Sequence, residues 1–348
     1  MAATRKKQLE CDVLFEHQDL LALTLAHPQP RKQPQSRTLK DGTRLTLIDS
    51  GILAIEPLRP GDSDIVLSCG VHGNETAPIE LVNDLVNAII SGELVCRQRL
   101  LVQLGNTEAM VKGTRGVQEN MNRLFSGAHA RGESNPEKAR AALLEQTVRD
   151  FYNQSGRKRF HYDLHTAIRD SQREKFAVYP YRPGRAWSIE QIRFLAGCGV
   201  ETILLSHSPT TTYSYYSSNE FGADAFTVEL GKVYPFGQNE MSRFEACRKQ
   251  LSRLIAAQPL EYPPLAQSVV FDVCQVVNKH HEGFRFSFDD AQANFSEYPP
   301  GTLLAQDGDT EVRVGAVAES IVFPNAKVAL GQRALLTVVP TAIDDRFE

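Results

Sequence analysis

The residues best suited to chemistry are His72 and Glu75, which lie three positions apart in the glycine-containing segment 70–75. They directly follow the apolar run 65–69, which is typical of a buried parallel strand, and α/β proteins build their sites in the loops at the carboxyl ends of such strands. A catalytic zinc usually takes three protein ligands, imidazole and carboxylate among them, and keeps one position for water. The pair therefore predicts two ligands of a zinc site.

His165 is the best candidate for the third ligand. It lies in segment 160–168, which is predicted to be extended, so Asp163 and His165 share one face of the strand. A carboxylate beside a metal-binding imidazole fixes its tautomer and raises its basicity, which is the role expected of Asp163. The alternative is that His165 is an ordinary strand histidine whose hydrogen bonds are satisfied locally.

Glu229 stands inside the apolar run 225–230. Burial of a carboxylate is costly unless the group is paired or has a task. Desolvation would raise the pKa of Glu229 and suit it to act as a general base that takes a proton from water at the metal. The alternatives are a structural ion pair and an outward-facing strand residue.

The polar segment 112–125 contains Arg115, Asn122 and Arg123 and follows a predicted strand at 100–104. Guanidinium groups bind carboxylates in a bidentate manner and can stabilise a developing oxyanion. A solvated surface loop would use the same residue types, so this segment alone leaves both interpretations open.

Strand and helix patterns alternate from residue 65 to about 255, which predicts an α/β fold with a mixed central sheet flanked by helices. Prolines at 259, 263 and 264 interrupt this pattern, and strand signals dominate the segment that follows them. We therefore predict a catalytic domain over residues 1–258 and a smaller β-rich domain over residues 259–348.

The chain has 348 residues, 42% of them apolar and 23% charged, as in ordinary soluble globular proteins. No stretch approaches the roughly 20 apolar residues of a membrane span, and the basic start has no apolar core behind it, so we expect no signal peptide. Six scattered cysteines without a CxxC pair then predict reduced thiols and a cytoplasmic location.

The net charge of −4 gives no reason to expect nucleic acid or a membrane as partner. A C2 homodimer is the default expectation for a soluble enzyme.

Taken together, these motifs resemble the aspartoacylase and succinylglutamate desuccinylase branch of the zinc carboxypeptidases. The order is His-x-x-Glu, then Arg with Asn-Arg, then Asp-Leu-His, then Glu-Leu-Gly. Within this branch the desuccinylases are the closer match. The stretches that carry this closer resemblance are 163–169, 229–232, 235–239 and 323–331.

The resemblance implies a carboxypeptidase-like fold with an added β-rich domain that narrows access to one zinc ion. It implies that His72, Glu75 and His165 bind zinc and that Glu229 activates water. Arg115 would polarise the scissile carbonyl, and Asn122 and Arg123 would grip a substrate carboxylate. Arg169 and Lys232 are further candidates for anion contacts, with exposed salt bridges as their alternative. The implied reaction cleaves N-succinyl-L-glutamate, a small anionic acyl-amino acid, to succinate and L-glutamate at the end of arginine degradation.

Two departures from the aspartoacylase pattern argue against N-acetylaspartate as substrate. Asn219 stands where aspartoacylase has an arginine that helps to hold the amino-acid side chain, and residues 323–334 lack its tyrosine and offer Lys327 instead. The alternatives are an aspartoacylase or another N-acyl-amino-acid hydrolase, a true carboxypeptidase, and a non-catalytic metal-binding protein. The last of these would not need Glu229 together with Arg115.

Overall fold

The computed structural model describes residues 15–16, 18–153 and 156–348. Within these ranges the five cysteines form no disulfide, and Cys11 lies outside them. None of the described helices combines the length and the apolar character that crossing a bilayer requires.

Sixteen strands are present in the described part of the chain. In chain order they are β1 Gln35–Thr38, β2 Arg44–Asp49, β3 Ile52–Glu56, β4 Ser63–Cys69, β5 Arg99–Leu104, β6 Lys158–Ala167, β7 Phe176–Tyr179, β8 Thr202–Leu205, β9 Asp224–Lys232, β10 Val269–Asn278, β11 Arg285–Phe286, β12 Glu297–Tyr298, β13 Leu303–Asp307, β14 Thr310–Arg313, β15 Glu319–Val322 and β16 Arg333–Thr341.

The described residues also form seven α-helices and four short 3₁₀ turns. The helices are α1 Leu20–Ala26, α2 Thr76–Ser91, α3 Thr107–Lys112, α4 Pro136–Asn153, α5 Ile189–Gly197, α6 Tyr213–Phe221 and α7 Glu245–Ile255, and the 3₁₀ turns are Met121–Arg123, Ala128–Ala130, Met241–Phe244 and Leu265–Gln267.

Thirteen strands form one mixed sheet in the order β1-β2-β3-β5-β4-β6-β9-β7-β8-β10-β16-β15-β12. At its centre β5, β4, β6 and β9 run parallel to one another. All seven residues of β4 are buried because helices cover both faces of the sheet. Helices α2, α5 and α7 pack on one face, and α4 and α6 pack on the other. The predicted α/β class with a mixed central sheet is thus confirmed.

The carboxyl-terminal strands continue the same sheet, because β10 pairs in parallel with β8. A separate three-stranded sheet, β11-β13-β14, packs against β10, β15 and β16 through a shared apolar cluster. This confirms a smaller β-rich carboxyl-terminal domain, and its boundary at residues 258/259 stays a prediction. In this domain, residues 283–288 contain only a two-residue strand, and residues 311–323 are divided between β14 and β15.

Candidate active site

The loop that joins β4 to α2 carries His72 and Glu75 to the carboxyl edge of the sheet. Its second glycine, Gly73, passes so close to α3 that a Cβ there would lie 2.2 Å from the backbone carbon of Ala109. Glu75 stands at the amino end of α2 but does not cap it with its side chain. The carboxylate of Glu75 is therefore available to the residues in front of the sheet.

His165 reaches the same place from β6. The parallel register pairs Cys69, the last residue of β4, with Leu164, so His165 lies directly beside the start of the loop. Its Nδ1 is 2.8 Å from Oε2 of Glu75, and its Nε2 is 2.8 Å from Oδ2 of Asp163. The predicted proximity of His165 and Asp163 follows from this strand geometry.

His72, Glu75 and His165 form a buried cluster whose potential ligand atoms lie within 4.8 Å of one another. Nδ1 of His72 is 2.8 Å from Oε1 of Glu75, and its Nε2 is 2.8 Å from Oδ1 of Asn120. Because Asn120 and Asp163 accept hydrogen bonds at the two Nε2 atoms, both Nδ1 atoms face the Glu75 carboxylate. Two imidazole nitrogens and a carboxylate that converge in this way are a donor set for a divalent metal ion, which would replace the protons between them.

The electrostatics of the cluster favour a bound cation. Burial alone would raise the pKa of Glu75, but His72 and His165 hold it well below its usual range. Burial alone would lower the pKa of His165, but Asp163 and Glu75 raise it well above its usual range. The carboxylates of Glu75 and Asp163 are therefore ionised beside the imidazoles, and together they balance much of a divalent charge.

A chain of hydrogen bonds holds Asp163 from behind. Oγ of Ser68 lies 2.5 Å from Oδ1 of Asp163 and 2.8 Å from Nε2 of His161, whose Nδ1 is 2.7 Å from Oγ of Ser217. Burial lowers the pKa of His161 to about 4, so this imidazole is neutral and donates one proton, to Ser68. Ser68 in turn donates to Asp163, which leaves the other carboxylate oxygen for His165.

Glu229 lies on β9 in register with His165 on β6. It is 7% exposed, and its Oε2 has no hydrogen-bond partner in the described part of the chain. Burial, followed by the nearby charge of Glu75, raises the pKa of Glu229 to about 7. A carboxyl group with this pKa exchanges protons readily near neutral pH, as a general base must.

The cluster opens into a cavity of about 580 Å³ that residues of both domains line, Glu75 and Glu229 among them. Arg115 also lines it and donates from one terminal nitrogen to Oε1 of Glu75 at 2.7 Å, with 43% of its side chain exposed. The structure therefore brings together Glu75, Arg115 and Glu229 around one space.

A buried carboxylate on α4 holds the loop of Arg115 in place. Glu137 accepts hydrogen bonds at Oε1 from Nδ2 of Asn106 (2.6 Å) and the amide of Val117 (2.8 Å). Its Oε2 accepts from the amides of Gln118 (2.8 Å) and Glu119 (2.7 Å). No local sequence pattern marks Glu137, because its role depends on a loop 18–20 positions away.

Asn122 and Arg123 have different surroundings. Arg123 lines the cavity and donates to the backbone carbonyl of Asn122 at 2.7 Å. Burial, with the like charges of Arg333 and Arg115, lowers the pKa of Arg123 to about 9. Asn122 is not part of the lining, and its Oδ1 accepts from the amide of Tyr213 at 3.0 Å.

Arg169 and Lys232 lie at the rim of the cavity. Arg169 donates to the backbone carbonyls of Asp290, Gln292 and Pro324, so it joins the catalytic domain to the carboxyl-terminal one. The exposed Lys232 pairs with Asp170 at 2.6 Å. Both side chains already have protein partners.

Two residues of this site, Asn120 and Arg333, were not predicted from the sequence. Asn120 positions the ring of His72, and its segment was singled out only for its neighbours. Arg333 begins β16 and lines the cavity from the carboxyl-terminal domain, with its guanidinium 5.1 Å from the centre of the Phe323 ring. An isolated arginine before a strand carries no sequence signal for such a position.

The whole described site can be compared with known proteins. The Succinylglutamate desuccinylase/Aspartoacylase catalytic domain family matches residues 62–255, and the AstE/AspA barrel-sandwich hybrid domain matches residues 266–341. A succinylglutamate desuccinylase of Shewanella sp. (strain MR-4) is 50% identical over 338 residues, which cover 95% of this chain and 98% of the relative. The one from Shewanella amazonensis is 52% identical over 333 residues, covering 92% and 95%.

A solved structure agrees with this result. The X-ray structure of the succinylglutamate desuccinylase from Vibrio parahaemolyticus superposes with a TM-score of 0.86 at 35% identity, covering 94% of this chain and 97% of that one. The predicted resemblance is therefore confirmed. This chain belongs to the succinylglutamate desuccinylase/aspartoacylase family.

Proposed function

We propose that this chain is a zinc-dependent amidohydrolase that cleaves N-succinyl-L-glutamate to succinate and L-glutamate. The observation that carries the proposal is the buried carboxyl of Glu229, which lines one cavity with Glu75 of the His72, Glu75 and His165 cluster. The choice of substrate is supported by relatives about 50% identical that are named succinylglutamate desuccinylase.

His72, Glu75 and His165 would hold the metal, and we propose zinc because two imidazoles and one carboxylate are a typical donor set for catalytic zinc. When bound, zinc polarises a carbonyl and lowers the pKa of its water to about 7. Asp163 and Asn120 would keep the two imidazoles in the tautomer that leaves both Nδ1 atoms free.

Glu229 would take the proton as water attacks the amide carbon, and then return it to the departing amine nitrogen. Its unpartnered Oε2 supports this role, since no protein donor must be displaced first. Arg115 would donate hydrogen bonds to the developing oxyanion, because a charge already in position there stabilises the transition state more than the substrate.

The substrate carries three carboxylates, so the cavity needs several cations. Arg123 lines it and would contact one carboxylate. Asn122 would act from the same turn through its backbone carbonyl, which accepts the hydrogen bond of Arg123. Arg169 and Lys232 would contribute positive potential at the rim rather than a bidentate grip, because each already has protein partners. A homodimer and a cytoplasmic location stay predictions.

The first test is to measure succinate release from N-succinylglutamate and acetate release from N-acetylaspartate, before and after chelation. Chelator-sensitive succinate release that Zn²⁺ restores would support both the reaction and the metal. Turnover of the acetyl compound alone would keep the mechanism and refute the substrate. Tight metal binding without turnover of either compound would favour a non-catalytic protein.

A further inference from the structure

Arg333 contributes one of the positive charges of the cavity. The guanidinium of Arg333 lines the cavity, and its side chain makes no hydrogen bond or ion pair within residues 15–16, 18–153 and 156–348. Its Nε is fully buried, and the ring of Phe323 supports the group from one side at 5.1 Å. A buried charge is costly unless it is paired, so this placement calls for an anion.

The neighbouring charges increase this demand. Arg115 is already paired with Glu75, whereas the guanidinium of Arg123 contacts only a backbone carbonyl. Burial lowers the pKa of Arg333 to about 10, and the charge of Arg333 in turn lowers the pKa of Arg123. Two like charges thus act on each other across one cavity.

Within the described part of the chain, Glu229 is the acid whose charge acts on Arg333 and could be an alternative partner. Its charge raises the pKa of Arg333, but no hydrogen bond or ion pair connects the two side chains in the described structure. A role of Arg333 in tuning Glu229 would alter the pH profile of the reaction, whereas a role in binding would alter substrate affinity. The two roles can therefore be separated by experiment.

We propose that Arg333 and Arg123 together bind one carboxylate of the acyl-amino-acid substrate, away from the scissile amide. Arg333 comes from the carboxyl-terminal domain and Arg123 from the catalytic domain, so each domain supplies one guanidinium of this subsite. A guanidinium matches the fork geometry of a carboxylate, and the Phe323 ring contacts the guanidinium of Arg333 from one side. Arg333 is thus a specificity residue. This inference rests on the proposed function.

The test compares Arg333→Met with wild-type enzyme on N-succinylglutamate and three analogues. N-succinyl-2-aminobutyrate, 4-(succinylamino)butanoate and N-butanoylglutamate each lack a different carboxylate. We expect KM for the full substrate to rise at least about 30-fold with a small change in kcat, since losing one partner of a desolvated charge pair is expensive. Arg333→Met should leave KM unchanged for the one analogue that lacks the carboxylate bound by Arg333 and Arg123. Arg333→Lys should restore part of the affinity because it keeps the charge without the fork.

An equal penalty on all three analogues, or an unchanged KM, would overturn the inference. So would a shifted acid limb of kcat/KM with normal affinity, which would mark Arg333 as a tuner of Glu229. Arg285→Met, which removes an exposed arginine of the same domain, serves as the matched control.

Calorimetry provides a readout that does not need turnover. N-succinylglutamate is titrated into Glu229→Gln and into the double variant with Arg333→Met, and melting curves check that each is folded. Binding that Arg333→Met leaves unchanged would refute the subsite. If the wild-type enzyme neither binds nor hydrolyses N-succinylglutamate, the proposed function fails, and the subsite for its carboxylate fails with it.

Discussion

Replacing Glu137 with glutamine should damage the site without touching any residue that lines the cavity. Each carboxylate oxygen of Glu137 accepts two hydrogen bonds, from Asn106 and Val117 at Oε1 and from Gln118 and Glu119 at Oε2. An amide has one acceptor oxygen and one donor nitrogen. In either orientation, Glu137→Gln therefore turns two of the four hydrogen bonds into contacts between donors.

The cost follows from the burial of these groups. A hydrogen bond to a charged group contributes about 1.5–3 kcal/mol, so two lost bonds amount to about 3–6 kcal/mol. The loop amides are only partly buried, and water can satisfy some of them, so we expect about 3 kcal/mol of lost stability. Because the same loop carries Arg115 and Asn120, a displacement of about 1 Å should also lower kcat about 10- to 100-fold.

Urea unfolding and initial rates with N-succinylglutamate measure the two effects. Glu108→Gln is the matched control, because its exposed ion pair with Lys112 contributes at most about 0.5 kcal/mol. If Glu137→Gln has a kcat within about twofold of wild type while its stability falls as expected, the loop does not depend on Glu137 for its catalytic position, and the reasoning is refuted.

Three further predictions concern the metal cluster and its base. Glu229→Gln should lower kcat about 10²- to 10⁴-fold while its metal content is unchanged, and loss of metal in this variant would contradict the assignment. In the wild-type enzyme the acid limb of kcat/KM should lie at or below about pH 7, because protonation removes the base and a bound cation lowers the pKa of Glu229. Ser68→Ala removes the donor to Asp163, so metal affinity in competition with a chelator should fall about 10- to 100-fold, and unchanged affinity would show that the chain behind Asp163 is dispensable. Gly73→Ala places a Cβ 2.2 Å from the backbone of Ala109, so the melting temperature of this variant should drop by several degrees, or the variant should fail to fold. A melting curve equal to that of wild type would contradict this close approach.

Local sequence signals were sufficient wherever a single element presents a group. The strand and loop that carry His72 and Glu75 could be predicted because an apolar run, a glycine turn and an amphipathic helix follow one another directly. Asp163 and His165 could be paired because side chains two positions apart share a face of a strand. These predictions needed no knowledge of long-range contacts.

Helix α6 and the positions of Asn120 and Arg333 could not be predicted, because they depend on contacts between distant segments. Helix α6 was overlooked because six of its nine residues are buried, so it lacks the alternating polar face that marks a surface helix. Asn120 contacts His72 from a loop whose amides are bound by the distant Glu137. Arg333 reaches the cavity only because β16 joins the sheet beside β10. Each of these features requires the tertiary structure before its meaning appears.

The parallel pairing of β8 with β10 has a mechanical consequence. This ladder joins Thr202–Leu205 to Val269–Asp272, so one hydrogen-bonded sheet passes through both domains. A hinge between them would have to break this ladder, and Arg169 ties the loops above it as well. The walls that the two domains contribute to the cavity are therefore joined by continuous backbone hydrogen bonds, and we expect substrate to bind without a hinge motion between the domains.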